Sequence, residues 1–150
     1  MRTDSYLKIY ANRLLSSRMY RWGSNNDGAL GNGEVGGFDV APRPIFALRT
    51  VKVVKLCSGG EHNMCLTGPL SLFVFLYYPL YLLFIDTGSV FVWGKAENGR
   101  LGLSVKSPSN VLATPRQLLS LMDYTIVDIA VGFALPPHLS PCWLLILAML

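Results

Sequence analysis

His62 stands between two thiols, Cys57 and Cys65, with a carboxylate, Glu61, as its immediate neighbour. A thiol beside an imidazole is the elementary nucleophile–base pair, and such a pair needs a third group to orient the base. Glu61 is the carboxylate nearest in sequence, and no convergent set of groups emerges around it. No catalytic residue is assigned, and the chain is not expected to be an enzyme. Cys57, Cys65 and Cys142 are odd in number and lack C-x-x-C spacing. That pattern argues against a disulfide framework, and with His62 and His138 alone to add, it argues against a zinc site. A reduced, intracellular setting fits these thiols. Gly31-Asn32-Gly33-Glu34-Val35-Gly36 spells G-x-G-x-x-G. A dinucleotide turn requires a helix whose N-terminus meets the pyrophosphate, yet Phe38, Val40 and Pro42 follow with no helical period. It reads as a surface loop, and no cofactor is expected.

Charge narrows the partners. Of 13 basic and nine acidic side chains, Arg2, Lys8, Arg13, Arg18 and Arg21 face only Asp4 in the opening stretch, so the net charge of +4 resides there. The remainder is balanced and offers no Lys/Arg cluster of the kind that neutralises phosphates. No nucleic-acid surface is expected. The opening stretch has two readings: an Arg-rich mitochondrial leader, or the end of an earlier repeat. Lys55 and Asp128, oppositely charged at matched strand positions, read as solvated outer-face residues.

The elements that carry these residues repeat. Shifted by 71 positions, Tyr20-Arg21-Trp22-Gly23-Ser24-Asn25-Asn26-Asp27-Gly28-Ala29-Leu30-Gly31 falls on Phe91-Val92-Trp93-Gly94-Lys95-Ala96-Glu97-Asn98-Gly99-Arg100-Leu101-Gly102 without a gap, and Pro44 on Pro115. Each copy then enters a β-branched strand and a small-residue corner, at Gly59 and at Gly132. Trp22 and Trp93 should deliver large side chains to a packed layer from matching strand ends, while Gly23 and Gly94 allow close backbone approach. Asp27-Gly28 and Asn98-Gly99 suit turns that need a positive φ. Leu30 and Leu101 return to the core before Gly31 and Gly102, and each proline suits an edge strand. Such a unit cannot bury its faces alone and must stack on neighbours.

Aromatic-x-Trp-Gly, then Asn/Asp-Gly-x-Leu-Gly, then proline, then Leu56-Cys57-Ser58-Gly59-Gly60-Glu61-His62-Asn63-Met64-Cys65-Leu66, resembles the regulator of chromosome condensation repeat. The last segment looks like that family's Gly-x-x-His signature, with Asn63 where a small or aliphatic residue is usual. The resemblance implies an all-β chain of four-stranded blades from a closed propeller, here about two blades of the seven in complete members. It gives His62 a structural role in the blade. It implies a protein partner, with guanine-nucleotide exchange on a small GTPase, substrate recognition within larger ligases and scaffolding as the menu. Nucleus or cytoplasm is the expected compartment, with the mitochondrion as the alternative.

The chain departs from the pattern in two places. Leu135 stands where a second histidine belongs, and residues 134–150 run on as a divergent apolar tail that leaves the last strand of the second repeat in doubt. Residues 68–85, GPLSLFVFLYYPLYLLFI, interrupt the passage from Thr67 to Val90; without them the offset falls to about 50, a blade-type period. The expected organisation is therefore a basic stretch 1–19, a first repeat 20–67, an apolar and possibly helical insertion 68–85, a second repeat 86–133 and the tail. Residues 70–85 are charge-free, which raises an alternative reading as a small membrane-anchored protein, although a spanning helix needs about 20 apolar residues and Pro79 interrupts these. Residues 68–85 have the composition of a translated intron tract, and a departure from the repeat followed by an early stop is what reading past a splice site would give at 134–150; translated intron sequence is the reading favoured here.

Overall fold

The computed structural model describes residues 19–68, 70–71, 84–85, 88–131 and 144–149. The regular structure of the described residues is almost entirely β, with three single-turn 3-10 helices. The first repeat supplies β1 (Tyr20–Ser24), β2 (Phe38–Pro44), β3 (Val53–Ser58) and β4 (His62–Thr67). Two short strands follow, β5 (Leu70–Ser71) and β6 (Phe84–Ile85), and then β7 (Val90–Lys95), β8 (Val111–Gln117), β9 (Thr125–Val131) and β10 (Leu144–Met149). Pro42 and Pro44 lie on β2 and Pro115 on β8; each strand is an edge of its sheet, where a missing amide donor breaks no ladder.

The sheets are out of phase with the sequence repeat. β3 and β4 of the first repeat join β7 and β8 of the second in one four-stranded antiparallel sheet, ordered β3-β4-β7-β8. The junction runs in strict register from His62↔Gly94 to Leu66↔Val90. On either side stands a two-stranded sheet, β1-β2 and β9-β10. The described chain is thus one complete blade between two half-blades, a partial β-propeller.

Alternation along the central strands explains how both faces of the blade are covered. Met64 and Leu66 of β4 with Val90 and Val92 of β7 build one core with Leu101, Leu112, Leu118, Ile126 and Ile129, the last two from β9. Cys65 and Trp93 face the other way, into a second core with Met19, Ile45, Leu48 and Val53. Every residue of β4 is consequently buried.

Residues 144–149 were expected to lie in a divergent tail, and the structure instead pairs them with β9, from Leu144↔Val131 to Met149↔Thr125. They stand to β9 as β4 stands to β3. Gly132, Leu135, His138 and Cys142 lie outside the described residues. Of the insertion, Leu70–Ser71 and Phe84–Ile85 pair antiparallel with each other beyond the β4–β7 hairpin, and residues 72–83, on which the helical reading falls, lie outside the described residues. The closing of that hairpin is complete beneath them: the Thr67 amide donates to the Ser89 carbonyl at 2.9 Å, and the Ser89 amide to Thr67 Oγ1 at 2.9 Å. Among the described residues, no helix is long and apolar enough to cross a membrane.

Thr67 and Ser89 already meet, so the hairpin closes without the apolar residues between them. Deleting 68–85 is expected to raise soluble yield several-fold while β4 and β7 keep their amide-exchange protection. Lower yield with lost protection would show that the segment belongs to the fold.

Candidate functional site

The repeat motif converges on the junction between half-blade and blade. Both tryptophans sit at a break in strand register, between Arg21 and Gly23 on β1 and between Val92 and Gly94 on β7. The glycine after each has the same φ of 105°. These are β-bulges, which bend the strand and re-aim a side chain. From its bulge, Trp93 donates Nε1–H to the Ala29 carbonyl at 2.8 Å, and Asn63 Nδ2 donates to the same oxygen at 2.9 Å. Two donors from the blade therefore grip one carbonyl of the preceding turn. Sequence reasoning treated Asn63 merely as a departure from the usual small residue; its partner could not be read without the fold.

The gripped loop is organised by Asn25, another residue the sequence reading missed. Its Oδ1 accepts from the Leu30 amide at 3.0 Å, and its Nδ2 donates to the Glu34 carbonyl at 2.9 Å. Gly28 and Gly31 carry the loop over the blade: a Cβ on Gly28 would lie 2.6 Å from Val111 Cγ1, and one on Gly31 3.1 Å from the Trp93 ring. The G-x-G-x-x-G run belongs to this loop, and the Gly33 amide donates to the Ala113 carbonyl of β8 at 2.9 Å. In the second repeat the position of Asn25 is Ala96, and the turn differs. Asn98 takes a left-handed φ of 57°, whereas Asp27 does not, although Gly28 and Gly99 agree at 64° and 70°. Pro44 ends β2, whereas Pro115 lies two residues before the end of β8; Ile45 and Leu118 follow those strands and, like Leu30 and Leu101, are buried.

Trp22 and Trp93 were expected to be buried equivalents. Trp93 is fully buried and Trp22 half-buried. Trp93 is sealed by residues 25–31, whose Ala29 carbonyl accepts from its Nε1–H and whose Gly31 lies against its ring.

His62 opens β4 directly opposite Gly94. A Cβ on Gly94 would lie 2.7 Å from His62 Cα, and one on Gly59 2.6 Å from His62 Cε1, so the two glycines make the space the imidazole fills. Burial, assisted by the Arg100 guanidinium and opposed by Glu61, lowers the His62 pKa to about 4. The imidazole is neutral at physiological pH. Burial also pushes the Cys65 thiol up to about 12 and raises that of Cys57. Three residues along one strand, His62 and Cys65 point to opposite faces. The thiol–imidazole pairing considered from sequence is therefore not assembled with Cys65.

Beside His62 the loop end carries an ion network: Glu61 accepts from Arg100 Nη1 at 2.8 Å and pairs with Lys95 at 3.3 Å, which also reaches Glu97. Burial and the Glu61 charge raise the Asp27 pKa. Lys55 and Asp128, read as merely solvated, are half-exposed but form an ion pair between β3 and β9 of neighbouring sheets. Arg21, counted with the basic leader, is buried and paired with Asp39. Among the described residues, no group of three His, Cys, Asp or Glu could hold a metal ion.

Because the folded pKa of His62 lies below the unfolded value of 6.5, its stabilising contribution is full above that value. It is lost as pH falls toward 4. The linkage amounts to roughly 2–3 kcal/mol. Asp27, raised by burial, acts in the opposite sense at the acid end. Chemical denaturation at pH 7 and pH 4.5 should therefore show a pH-dependent loss that His62→Gln largely removes; an unchanged slope in that variant would refute the assignment.

At the opposite end of the blades, two short 3-10 turns repeat one another, Phe46–Leu48 and Leu119–Leu121. Each follows a buried aliphatic residue, Ile45 or Leu118, and each begins with an exposed apolar one: Phe46 is 69% and Leu119 65% exposed. Met122 and Tyr124 add to this surface at 60% and 43%.

Stacked blades joined through a repeated Trp-Gly bulge define a repeat propeller. The model of the regulator of chromosome condensation (RCC1) repeat matches residues 16–66 and 87–133, and the chain belongs to that family. It is similar to the human E3 ubiquitin-protein ligase HERC2, at 33% identity over 76% of this chain and 2% of the relative. The RCC1 domain-containing protein RUG3, mitochondrial, of Arabidopsis thaliana is 29% identical over 77% of this chain and 21% of its own length. The crystal structure of human WBSCR16 superposes with a TM-score of 0.56 at 19% identity, over 77% of this chain and 24% of that one. The chain thus spans less than a quarter of each of these proteins.

Proposed function

We propose that the chain acts within a protein-interaction scaffold, with the exposed apolar end at Phe46, Leu119, Met122 and Tyr124 as its contact surface. The observation that carries this reading is the recurrence of an exposed apolar residue at the head of the same turn in both repeats. Packing does not require it there, since Ile45 and Leu118 already fill the core. Exposed aromatic and aliphatic side chains of this kind are enriched where proteins bind one another. The repeat motif itself is engaged in joining blades, which leaves such surfaces to determine the partner.

The finer form of the reading is nucleotide exchange on a small GTPase, which the family resemblance implies. The ubiquitin-ligase names of some relatives attach to proteins of which this chain matches only a small part, and no ligase activity is assigned here. An intracellular compartment, nuclear, cytoplasmic or mitochondrial, accompanies the reading. The membrane-anchor alternative gains no support, since the described residues at both ends of 70–85 are paired strands.

The test places a photo-crosslinking amino acid at Phe46 or Leu119, and at Asn98 on the loop end as comparison. Cross-links to a discrete protein from 46 and 119, lost on Phe46→Asp or Leu119→Asp, are expected. Equal capture from Asn98 would contradict the assignment of this end. Nucleotide release from purified small GTPases, with the Phe46→Asp chain as control, tests the exchange form separately.

A further inference from the structure

Three hydroxyl residues of the chain precede a proline: Ser107-Pro108, Thr114-Pro115 and Ser140-Pro141. The fold separates the first two, and the third lies outside the described residues. Thr114 sits within β8, whose pairing to β7 flanks it at Leu112↔Gly94 and Arg116↔Val92. Pro115 is buried, and the neighbouring Ala113 carbonyl accepts from the Gly33 amide at 2.9 Å. Presenting Thr114 to an enzyme requires stripping β8 from its sheet.

Ser107 lies in the loop between β7 and β8, where residues 104–107 have no regular structure and Lys106, Pro108, Ser109 and Asn110 are exposed. Its hydroxyl meets the equally exposed Ser109 Oγ at 3.0 Å. The loop is anchored on either side of this tip. Leu103 and Val105 pack against the core, and the Asn110 carbonyl accepts from the Ala96 amide at 2.7 Å. The Asn110 amide donates to the Ser107 carbonyl at 3.0 Å, so Ser107 opens a tight turn. Pro108 has no N–H to satisfy and biases Ser107 to extended backbone, the form in which an enzyme cleft takes up an acceptor segment. The first copy of the loop shows that such a tip stays open beside a following blade. There Gly33 docks on Ala113 of β8, yet a Cβ on Gly36 or Gly37, the positions matched to Ser107 and Pro108, would meet nothing within 4 Å.

We propose that Ser107 is a phosphorylation site for a proline-directed serine/threonine kinase. Its Oγ takes the γ-phosphoryl group of ATP: the Oγ–P bond forms as the bridging bond to the β-phosphate breaks, ADP leaves, and the hydroxyl proton passes to the kinase's catalytic carboxylate. Lys106 is the one charged side chain of residues 104–110. A phosphoserine carries about −1.5 to −2 charge at pH 7, so the modification turns a cationic loop tip anionic. The switch stands before β8, whereas the exposed turn Leu119–Leu121 follows that strand. The contact surface proposed around Leu119 is therefore left as it is, and the two sites can be tested apart.

The whole 150-residue chain is incubated with a purified proline-directed kinase of the mitogen-activated class and Mg-ATP, and tandem mass spectrometry locates the phosphate. Phosphate is expected on Ser107 and not on Thr114. Ser107→Ala should remove that phosphopeptide, and Pro108→Ala, which keeps the hydroxyl, should slow its formation about tenfold or more. Both substitutions fall at the loop tip and should leave the far-UV spectrum unchanged. No phosphate on Ser107, a rate that Pro108→Ala leaves unchanged, or equal labelling of Thr114 would overturn the proposal. If either variant misfolds, the distribution of phosphate between Ser107 and Thr114 in the unsubstituted chain decides alone.

Discussion

Trp93→Ala is expected to lower the free energy of unfolding by about 3–5 kcal/mol, the usual loss for a large aromatic removed from a sealed core. Trp93 is 0% exposed and packs with Ile45, Leu48 and Cys65. Its truncation also takes one of two donors from the Ala29 carbonyl, which Asn63 still holds. The preceding half-blade is anchored through that carbonyl, so the variant should loosen 25–37 and β1-β2 as well as β7. Trp22→Ala should cost clearly less, since Trp22 is half-buried. Urea denaturation of the two variants in parallel checks the ordering. Equal losses would mean that the two bulges are in equivalent environments, contrary to the structure.

Gly94→Ala should be as damaging for a different reason. The residue holds φ at 105°, where a side chain is strained, and a Cβ there would lie 2.5 Å from the Glu61 carbonyl oxygen and 2.7 Å from His62 Cα. Both obstacles are backbone in the central strand pairing and cannot rotate away. Misfolding or a loss of about 3 kcal/mol or more is expected, within the range of the largest single-residue effects. Gly36→Ala, also at positive φ but with nothing within 4 Å, should show only the strain, about 1 kcal/mol. Matching losses in the two variants would remove the steric part of the argument.

The repeat was readable because its signals are local: a bulge glycine, a turn glycine and an edge proline each announce a backbone requirement. The phase of the sheets was not. β4 pairs with β3 of its own repeat on one edge, but that β7 lies on its other edge depends on which strands meet in space, and an insertion between them hides their adjacency. The roles of Asn25 and Asn63 were not legible, because the second repeat carries neither, with Ala96 at the position matched to Asn25, and a buried amide declares itself only through its partners. The full burial of Trp93 was not legible either, because its cover comes from residues 25–31 of the preceding repeat rather than from its own motif. Residues 144–149 looked like an apolar tail because a contiguous apolar run carries no period to distinguish strand from helix, whereas β9 supplies the edge that orders their backbone.

The central claim is that strands from both repeats form one blade. Cross-strand nuclear Overhauser contacts and slow amide exchange test it most directly. The structure predicts contacts between Met64 and Val92 and between Leu66 and Val90, with His62–Thr67 and Val90–Lys95 among the slowest-exchanging amides, because β4 and β7 are hydrogen-bonded on both edges. Absence of those contacts, with β3-β4 and β7-β8 exchanging as independent hairpins, would contradict the account.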